Sequence, residues 1–297
     1  MTFAPRPHGI HDDIDKAIRD IDPTDTDALT DAARALLADD DWIDPLIDRA
    51  AAALSRDPRF TLPFRALHND IRSGLCLFER PGFRMSIDVV NAVHLAAKKQ
   101  AVDGLRSINF PSEIAVIRFV RGGDATLSFW EAAEIDHVFS AGSAGTCRPS
   151  SQRRIQDGEL LIVDGRRQSF VIDHARPNLL VVQVTISTGA PVRVEYDSRS
   201  LAYVGCSAAN DSDSRIQMVA TLARLLDAPE AFPAIAALLD HPSFFVRWHA
   251  MREMLGIDAQ AALPYLKLLA THDPHPDVRE TALATLGLFG PAERRAA

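Results

Sequence analysis

The segment that decides the fold is Asp157–Ile186, with the sequence DGELLIVDGRRQSFVIDHARPNLLVVQVTI. It contains the apolar run Leu160–Val163, the pair Asp164-Gly165, and a return that includes Phe170 and Ile172. An Asp-Gly pair between two apolar runs is the strongest short-range signal of a β-hairpin, because a type I′ turn needs positive φ at both central residues. The segment therefore predicts a hairpin whose two strands flank Asp164-Gly165.

Further short apolar runs lie before and after this segment. Residues 74–79 and 83–89 flank Pro81-Gly82, and residues 114–120 and 125–130 flank Arg121-Gly122-Gly123-Asp124. Each of these pairs predicts a hairpin of its own. About eight short strands separated by Gly-containing turns are typical of a β-barrel or a double-sheet jelly roll.

Helical patterns precede and follow this β-region. Residues 11–58 show isoleucines at helical spacing and hold fourteen Asp residues against five Lys and Arg, and Asp25 is placed to cap a helix. This segment is interpreted as a solvated helical arm, with a docking surface for a basic partner as the alternative. The chain is thus predicted to be α+β, with an acidic helical region at 1–72, a β-domain at 73–210 and helical repeats at 211–297.

Composition limits the classes of function. At 297 residues and 47% hydrophobic content, the chain has room for about two domains. The net charge of −8 is concentrated in the N-terminal helices and argues against binding to nucleic acid. The apolar runs are too short to span a membrane and the N-terminus lacks the order of a signal peptide, so a cytoplasmic location without membrane contact is expected. Three separated cysteines argue against a disulfide framework.

An internal repeat lies in the C-terminal region. Asp240-His-Pro-Ser-Phe-Phe-Val246-Arg247 is similar to Asp273-Pro-His-Pro-Asp-Val278-Arg279, and the Val-Arg pair recurs after 32 residues. These segments resemble HEAT repeats over about residues 214–290. The resemblance implies helix pairs that contact a protein partner or a second copy of the chain, and an Arg that reaches an Asp of an adjoining repeat. Asp240 and Asp273 are the candidate partners, whereas His272 and His275 are interpreted as solvated turn residues.

The β-region resembles a cupin. Gly158-Glu-Leu-Leu-Ile-Val-Asp-Gly165 is similar to the start of the second cupin motif, in which a Gly enters a strand and a turn follows. The resemblance implies a cupin-like β-barrel. The family places a metal-binding His shortly after that turn, where this chain has Gln168 and Ser169. The first motif of the family supplies two close His residues and a Glu, but only His137 lies between Gly123 and Gly158.

Two sets of residues are candidates for chemistry. A mononuclear Fe, Mn or Zn site needs three or more converging His or carboxylate ligands, and Glu131, His137 and His174 are the proposed set. Arg148, Arg153, Arg154 and Arg166 cluster with Gln168 around the central segment, and the planar guanidinium group suits carboxylates and phosphates. They are interpreted as a site for an anionic small molecule or an acidic peptide. The alternatives are exposed turn residues or pairing with the acidic N-terminal region.

The small residues Ala141–Gly145 are expected to form a mobile loop that acts as a lid over the barrel mouth. Together these patterns favour a non-enzymatic binding or scaffold protein without a cofactor, whose barrel holds a small molecule or peptide and whose repeats contact a protein. A metal-dependent cupin oxygenase or isomerase is the alternative, and a structural dimerisation protein is a third.

Overall fold

The computed structural model describes residues 10–38, 41–101 and 107–289, apart from the side chains of residues 98–101. The helices are α1 Ile10–Ile18, α2 Thr26–Leu36, α3 Ile43–Arg56, α4 Ala92–Ala101, α5 Asp211–Leu225, α6 Phe232–Ala236, α7 Phe244–Ile257, α8 Ala259–His272 and α9 Pro276–Phe289. The strands are β1 Arg65–His68, β2 Arg72–Arg80, β3 Phe83–Val90, β4 Ser107–Phe110, β5 Ile114–Arg121, β6 Thr126–Glu131, β7 Arg148–Arg154, β8 Glu159–Asp164, β9 Gln168–His174, β10 Leu179–Ile186, β11 Val192–Asp197 and β12 Tyr203–Ala208. The predicted α+β class, with helices before and after a β-rich region, is confirmed.

The described residues form two compact units. The first holds the residues up to 132 together with 146–190 and 195–202, and the second holds 133–145, 191–194 and the residues from 203 onward. Helices α1–α3 therefore share a unit with the main sheets, while the segment 133–145 belongs with the C-terminal helices. The predicted bounds at residues 72 and 210 stay a prediction.

The largest sheet of the first unit has six strands in the order β1–β2–β3–β10–β5–β8, and its neighbours pair antiparallel. Arg80 pairs with Phe83 across the turn that joins β2 and β3, and Gly82 has a φ of +80°. Glycine adopts a positive φ without the steric cost that a Cβ atom brings. The hairpin predicted at Pro81-Gly82 is confirmed.

A second, three-stranded sheet in the order β7–β6–β9 covers part of one face of the six-stranded sheet. Leu127 and Phe129 of β6 pack in the same apolar cluster as Phe119 of β5, Leu161 of β8 and Val181 of β10. Successive side chains of a strand point to opposite faces of its sheet, so these residues define the inner face of the six-stranded sheet. Two antiparallel sheets packed face to face are the arrangement expected of a double-sheet β-domain.

The outer face of the six-stranded sheet is covered by helices α1–α3. Ile14 and Ile18 lie one turn apart on α1, and Leu29 and Ala33 do so on α2, so each helix presents an apolar stripe. These stripes pack against alternate residues of the sheet, which include Leu77, Met85, Val116, Val182, Val184 and Ile186. Burying each large aliphatic side chain contributes roughly 1.5–3 kcal/mol. The acidic N-terminal helices thus have a buried apolar side.

Two predicted hairpins are wrong. Strand β8 pairs with β5, whereas β9 pairs with β6 in the other sheet, so the turn at Asp164-Gly165 carries the chain from one sheet to the other. The turn at residues 121–124 likewise joins β5 to β6 across the two sheets. Gly165 is also required for a different reason than expected: its φ is not positive, and an added Cβ atom would lie 2.4 Å from the carbonyl oxygen of Glu113.

The second unit is built mainly of helices. Ala250, Met251 and Met254 of α7, Leu266 of α8 and Ala282 of α9 lie in one apolar core. Helix α8 is capped by Asp258, which accepts a bond from the N–H of Ala261 at 3.0 Å. Within the described ranges, no helix has the length and apolar character needed to cross a membrane.

Candidate functional site

The arginines predicted to bind an anion are paired with carboxylates of the same unit. Arg148 lies 2.7 Å from Glu131, Arg154 2.7 Å from Asp124 and Arg166 2.8 Å from Asp164, and Arg153 pairs with Glu159. Most of these side chains are exposed, and exposed ion pairs contribute little to stability, about 0–1 kcal/mol each. Each of these four carboxylates belongs to the β-region.

These ion pairs shift the protonation of the carboxylates. Hydrogen bonds from Arg148 and Ser150 lower the pKa of Glu131 below its ordinary value. Burial acts to raise the pKa of Asp164, but the bonds from Arg166 outweigh it and the pKa is lowered. Both carboxylates therefore stay ionised near neutral pH, which keeps the neighbouring guanidinium groups occupied.

Three of the predicted residues line one cleft. Glu131, Arg153 and Gln168 surround a cavity of about 170 Å³, together with Ser150 and Phe129. Arg153 lies over the ring of Phe129, with 5.4 Å between the guanidinium carbon and the ring centroid. Pockets for small molecules measure roughly 300–1,000 Å³, so this cleft is smaller than that class of site. Binding of a ligand by these arginines stays a prediction.

The structure does not bring the predicted metal ligands together. Along β6 and β9, Glu131 pairs with Gln168 while Thr126 pairs with His174, so Glu131 and His174 lie at opposite ends of the strand pair. Five residues of a strand span roughly 16 Å, far beyond a shared coordination sphere. His137 belongs to the second unit. In the part of the chain that the structure describes, no group of three His, Cys, Asp or Glu side chains is placed to hold a metal ion. The residues that are present do not fit the metal centre of the cupin family.

A different polar group lies on the inner face of the six-stranded sheet. Ser86 and Asp88 of β3 alternate with Met85 and Ile87, which face the N-terminal helices, and Gln183 and Thr185 of β10 alternate with Val182 and Val184 in the same way. Arg72 of β2 pairs with Val90, so it shares this inner face. We name the five polar residues the inner-face polar cluster: Arg72, Ser86, Asp88, Gln183 and Thr185.

Hydrogen bonds order most of this cluster. The Nη1 atom of Arg72 donates to Oε1 of Gln183 at 3.3 Å, and Nε2 of Gln183 donates to Oγ1 of Thr185 at 3.2 Å. The hydroxyl of Ser86 donates to Oδ2 of Asp88 at 2.7 Å. Asp88 is only 2% exposed, and Ser86 and Thr185 are 8% exposed each. The inner-face polar cluster is therefore a buried, hydrogen-bonded group on a sheet face that is otherwise apolar.

One atom of the cluster lacks a partner. Oδ1 of Asp88 is buried and makes no hydrogen bond in the described part of the chain. A buried polar atom without a partner costs about 1–3 kcal/mol, and more when it carries charge. The site is nevertheless built to hold this carboxylate, because a Cβ atom on Gly74, its register partner on β2, would lie 2.4 Å from Oδ1. The buried oxygen is thus packed beside Gly74, at a position where any other residue would place a side chain.

The sequence did not single out this cluster. Ser86, Asp88, Gln183 and Thr185 stand at alternate positions among apolar residues, a pattern that is typical of a strand with one face in solvent. The sequence therefore carries no local signal that these four residues are buried.

Comparison with known proteins identifies one family in the C-terminal region. The family model of HEAT repeats matches residues 205–287, so the predicted C-terminal repeats are confirmed. No curated protein matches the chain.

Part of the chain matches solved structures at low sequence identity. Ectoine synthase from P. lautus is 14% identical over 41% of this chain and 67% of its own, with a TM-score of 0.25. The Cnp3 cupin domain of Schizosaccharomyces pombe is 10% identical over 43% of this chain and 68% of its own, with a TM-score of 0.25. Hydroxypropylphosphonic acid epoxidase from S. wedmorenis is 11% identical over 42% and 56%, with a TM-score of 0.27. One of these matched structures is a cupin domain.

Proposed function

We propose that this chain, whose residues 205–287 match HEAT repeats, is a non-enzymatic binding protein that holds a small polar molecule in its β-unit and contacts a protein through its helices. The observation that supports the first half is the buried oxygen Oδ1 of Asp88, which has no partner within the described residues. A folded protein retains such an atom at a cost to stability, and a ligand that donates a hydrogen bond removes that cost.

A ligand screen on the full-length protein tests this proposal. Thermal unfolding is measured against a panel of amines, organic acids, amino acids, sugars, nucleotides and short peptides. A ligand at 100 times its Kd stabilises the folded state by about 2.7 kcal/mol. In a protein of this size, that raises the unfolding midpoint by several degrees, at roughly 2–4 °C per kcal/mol.

Two substitutions assign a positive result to the site. Asp88→Asn keeps an oxygen that accepts from Ser86 but removes the charge. Asp173→Asn is the matched control, because Asp173 also accepts a hydroxyl bond, from Ser128, on the β6–β9 strand pair. A midpoint shift that is lost in Asp88→Asn and kept in Asp173→Asn supports the proposal. Shifts that survive in Asp88→Asn, or a panel without any shift, contradict it.

The helical unit is proposed to contact a protein, either a second copy of the chain or another partner. Support comes from α5 and the residue that follows it, because Met218, Val219, Leu222, Leu225 and Leu226 are each more than half exposed. Apolar rows of this kind mark interaction surfaces more often than free surface. Light scattering on the wild type and on Leu222→Glu distinguishes the two partners, because only self-association gives a dimer that the substitution dissociates.

The metal-dependent cupin enzyme is the alternative function. Metal analysis of protein purified without chelator tests it directly. One equivalent of iron, manganese or zinc that is lost in His137→Ala would establish the alternative.

A further inference from the structure

Two opposite charges of the inner-face polar cluster are close to each other but do not pair. Arg72 pairs with Val90 in the β2–β3 register, and Asp88 lies two residues from Val90 along the same strand. Such diagonal neighbours have Cβ atoms roughly 7–8 Å apart, within reach of a long side chain. Arg72 instead turns to the neutral amide of Gln183, at 3.3 Å. In the part of the chain that is described, no ion pair joins Arg72 to Asp88.

The buried carboxylate of Asp88 favours a cationic group as its partner. Asp88 is 2% exposed, one of its oxygens accepts from Ser86, and the other has no partner among the described residues. A neutral hydroxyl would satisfy the free oxygen but leave the buried charge uncompensated. An ammonium group supplies both a hydrogen bond and the opposite charge, and charge-assisted bonds are about twice as strong as neutral ones.

The guanidinium group of Arg72 favours an anionic group as its partner. Arg72 is half-buried and uses one N–H on Gln183, while a guanidinium group carries five N–H donors in a planar fork. That fork matches the two oxygens of a carboxylate. Gln183 is itself fixed, because its Nε2 atom donates to Thr185 at 3.2 Å, and its Oε1 atom therefore faces Arg72. The guanidinium group is held in place before a ligand arrives.

We propose that the inner-face polar cluster binds a small zwitterion, with the ammonium group on Oδ1 of Asp88 and the carboxylate on the guanidinium group of Arg72. This inference rests on the proposed function and names the class of its ligand. Because diagonal neighbours of an antiparallel strand pair lie within one small molecule of each other, we consider ligands with one to three carbon atoms between the amine and the acid. A ligand with only one of the two charges leaves either Asp88 or Arg72 without its counter-ion.

Calorimetric titration of the full-length protein with matched probes tests the inference. The zwitterions are L-alanine, β-alanine and γ-aminobutyrate, and the single-charge probes are n-propylamine, propionate and N-acetyl-β-alanine. The zwitterion with the best spacing is expected to bind at least ~10-fold more tightly than its amine or acid counterpart, because hydrogen bonds to charged groups contribute about 1.5–3 kcal/mol.

Substitutions at the two ends give separate readouts. In Asp88→Asn the zwitterion should bind no better than propionate, and in Arg72→Gln no better than n-propylamine. Asp173→Asn, which removes a charge elsewhere in the same unit, should bind as the wild type does. The far-UV circular dichroism of each variant confirms that it is folded.

The inference is overturned if n-propylamine or propionate binds as tightly as the zwitterions, or if Asp88→Asn leaves the preference unchanged. It is also overturned if none of the zwitterions binds. If no zwitterion binds, the thermal-unfolding screen against the wider panel of ligands tests the proposed function on its own. A sugar or nucleotide whose binding depends on Asp88 would leave the proposed function standing, whereas a panel without any binding would remove both.

Discussion

Arg247 and Asp273 form a two-point ion pair in the helical unit. The Nη2 atom of Arg247 lies 2.6 Å from Oδ1 of Asp273, and its Nε atom lies 2.8 Å from Oδ2. The side chains are 7% and 0% exposed. The Nη1 atom of Arg247 also donates to the carbonyl oxygens of His241 and Pro242, so the guanidinium group fastens the turn before α7 to the turn after α8.

Removal of this arginine is expected to destabilise the helical unit strongly. Arg247→Ala leaves the carboxylate of Asp273 buried without its counter-ion, and breaking a buried pair in this way costs about 3–5 kcal/mol. Urea unfolding followed by circular dichroism at 222 nm measures the loss. Arg34→Ala is the control, because the pair of Arg34 with Asp31 is exposed and should contribute less than about 1 kcal/mol. An equal decrease in the free energy of unfolding in the two variants would show that burial does not strengthen the pair of Arg247 with Asp273.

Gly74 is expected to tolerate no side chain. In Gly74→Ala the new Cβ atom would lie 2.3 Å from the carbonyl oxygen of Ile87 and 2.4 Å from Oδ1 of Asp88, so β2 and β3 must move apart. Overpacking of this kind costs typically 1–3 kcal/mol. Thermal unfolding compares it with Gly205→Ala, where nothing lies within 4 Å of an added Cβ atom. An unchanged midpoint for Gly74→Ala would contradict the close contact between these strands.

The C-terminal repeats were predictable because their signal is local. The Val-Arg pairs at 246–247 and 278–279 recur in similar turns, and each Arg bonds to the two carbonyl oxygens before its helix. The resemblance to HEAT repeats also predicted the partner Asp273. His275 was not predicted correctly: it is 5% exposed rather than solvated, since its ring stacks on Phe244 at a centroid distance of 3.7 Å.

The strand pairing was less predictable because it is set by distant contacts. Asp164-Gly165 specifies a reversal of the chain, but the partner of each strand depends on residues far away in sequence, such as Glu113 and Ser112, which bond to Gly165. The inner-face polar cluster was missed for a related reason. Its alternating pattern on β3 and β10 indicates one polar face, and only parts of the chain that are distant in sequence decide that this face is buried.

Tyr196 is expected to make the first unit sensitive to alkali. Burial raises the pKa of its phenol to about 12 from an ordinary value of 10.0. The folded state therefore holds the proton more tightly than the unfolded state. Its contribution is complete below pH 10 and is lost as the pH rises towards 12, up to about 3 kcal/mol for a shift of this size.

Two measurements check this effect. The difference in tyrosinate absorbance between the wild type and Tyr196→Phe should show a titration midpoint near pH 12. Tyr196→Phe should also unfold with a weaker dependence on pH above 10, since the ring contact with Phe110 at 5.4 Å is preserved while the ionisable group is gone. A midpoint near 10 would mean that the phenol is open to water.

The segment 133–145 is expected to depend on His275 for its order. Residues 141–145 were predicted to be a mobile lid over the barrel, but the segment is bound to the start of α9 within the second unit. The Nε2 atom of His275 donates to the carbonyl oxygen of Phe139 at 2.9 Å, and the N–H of Ala141 donates to Asp277 at 2.8 Å. The N–H of Asp277 lies 3.3 Å from Nδ1 of His275, which fits a neutral ring protonated on Nε2.

His275→Ala removes both the bond to Phe139 and the stack on Phe244. A hydrogen bond contributes about 1 kcal/mol and a ring stack about 0.5–1.5 kcal/mol, so the amide of Ala141 should exchange with solvent at least ~10-fold faster. Hydrogen exchange measured by NMR or mass spectrometry reports this amide directly. His272→Ala is the matched control from the same turn, because His272 is exposed and its ring bonds only to Thr271 among the described residues. If both variants exchange at the wild-type rate, the segment is held by Asp277 and the apolar contacts of Phe139 instead of by His275.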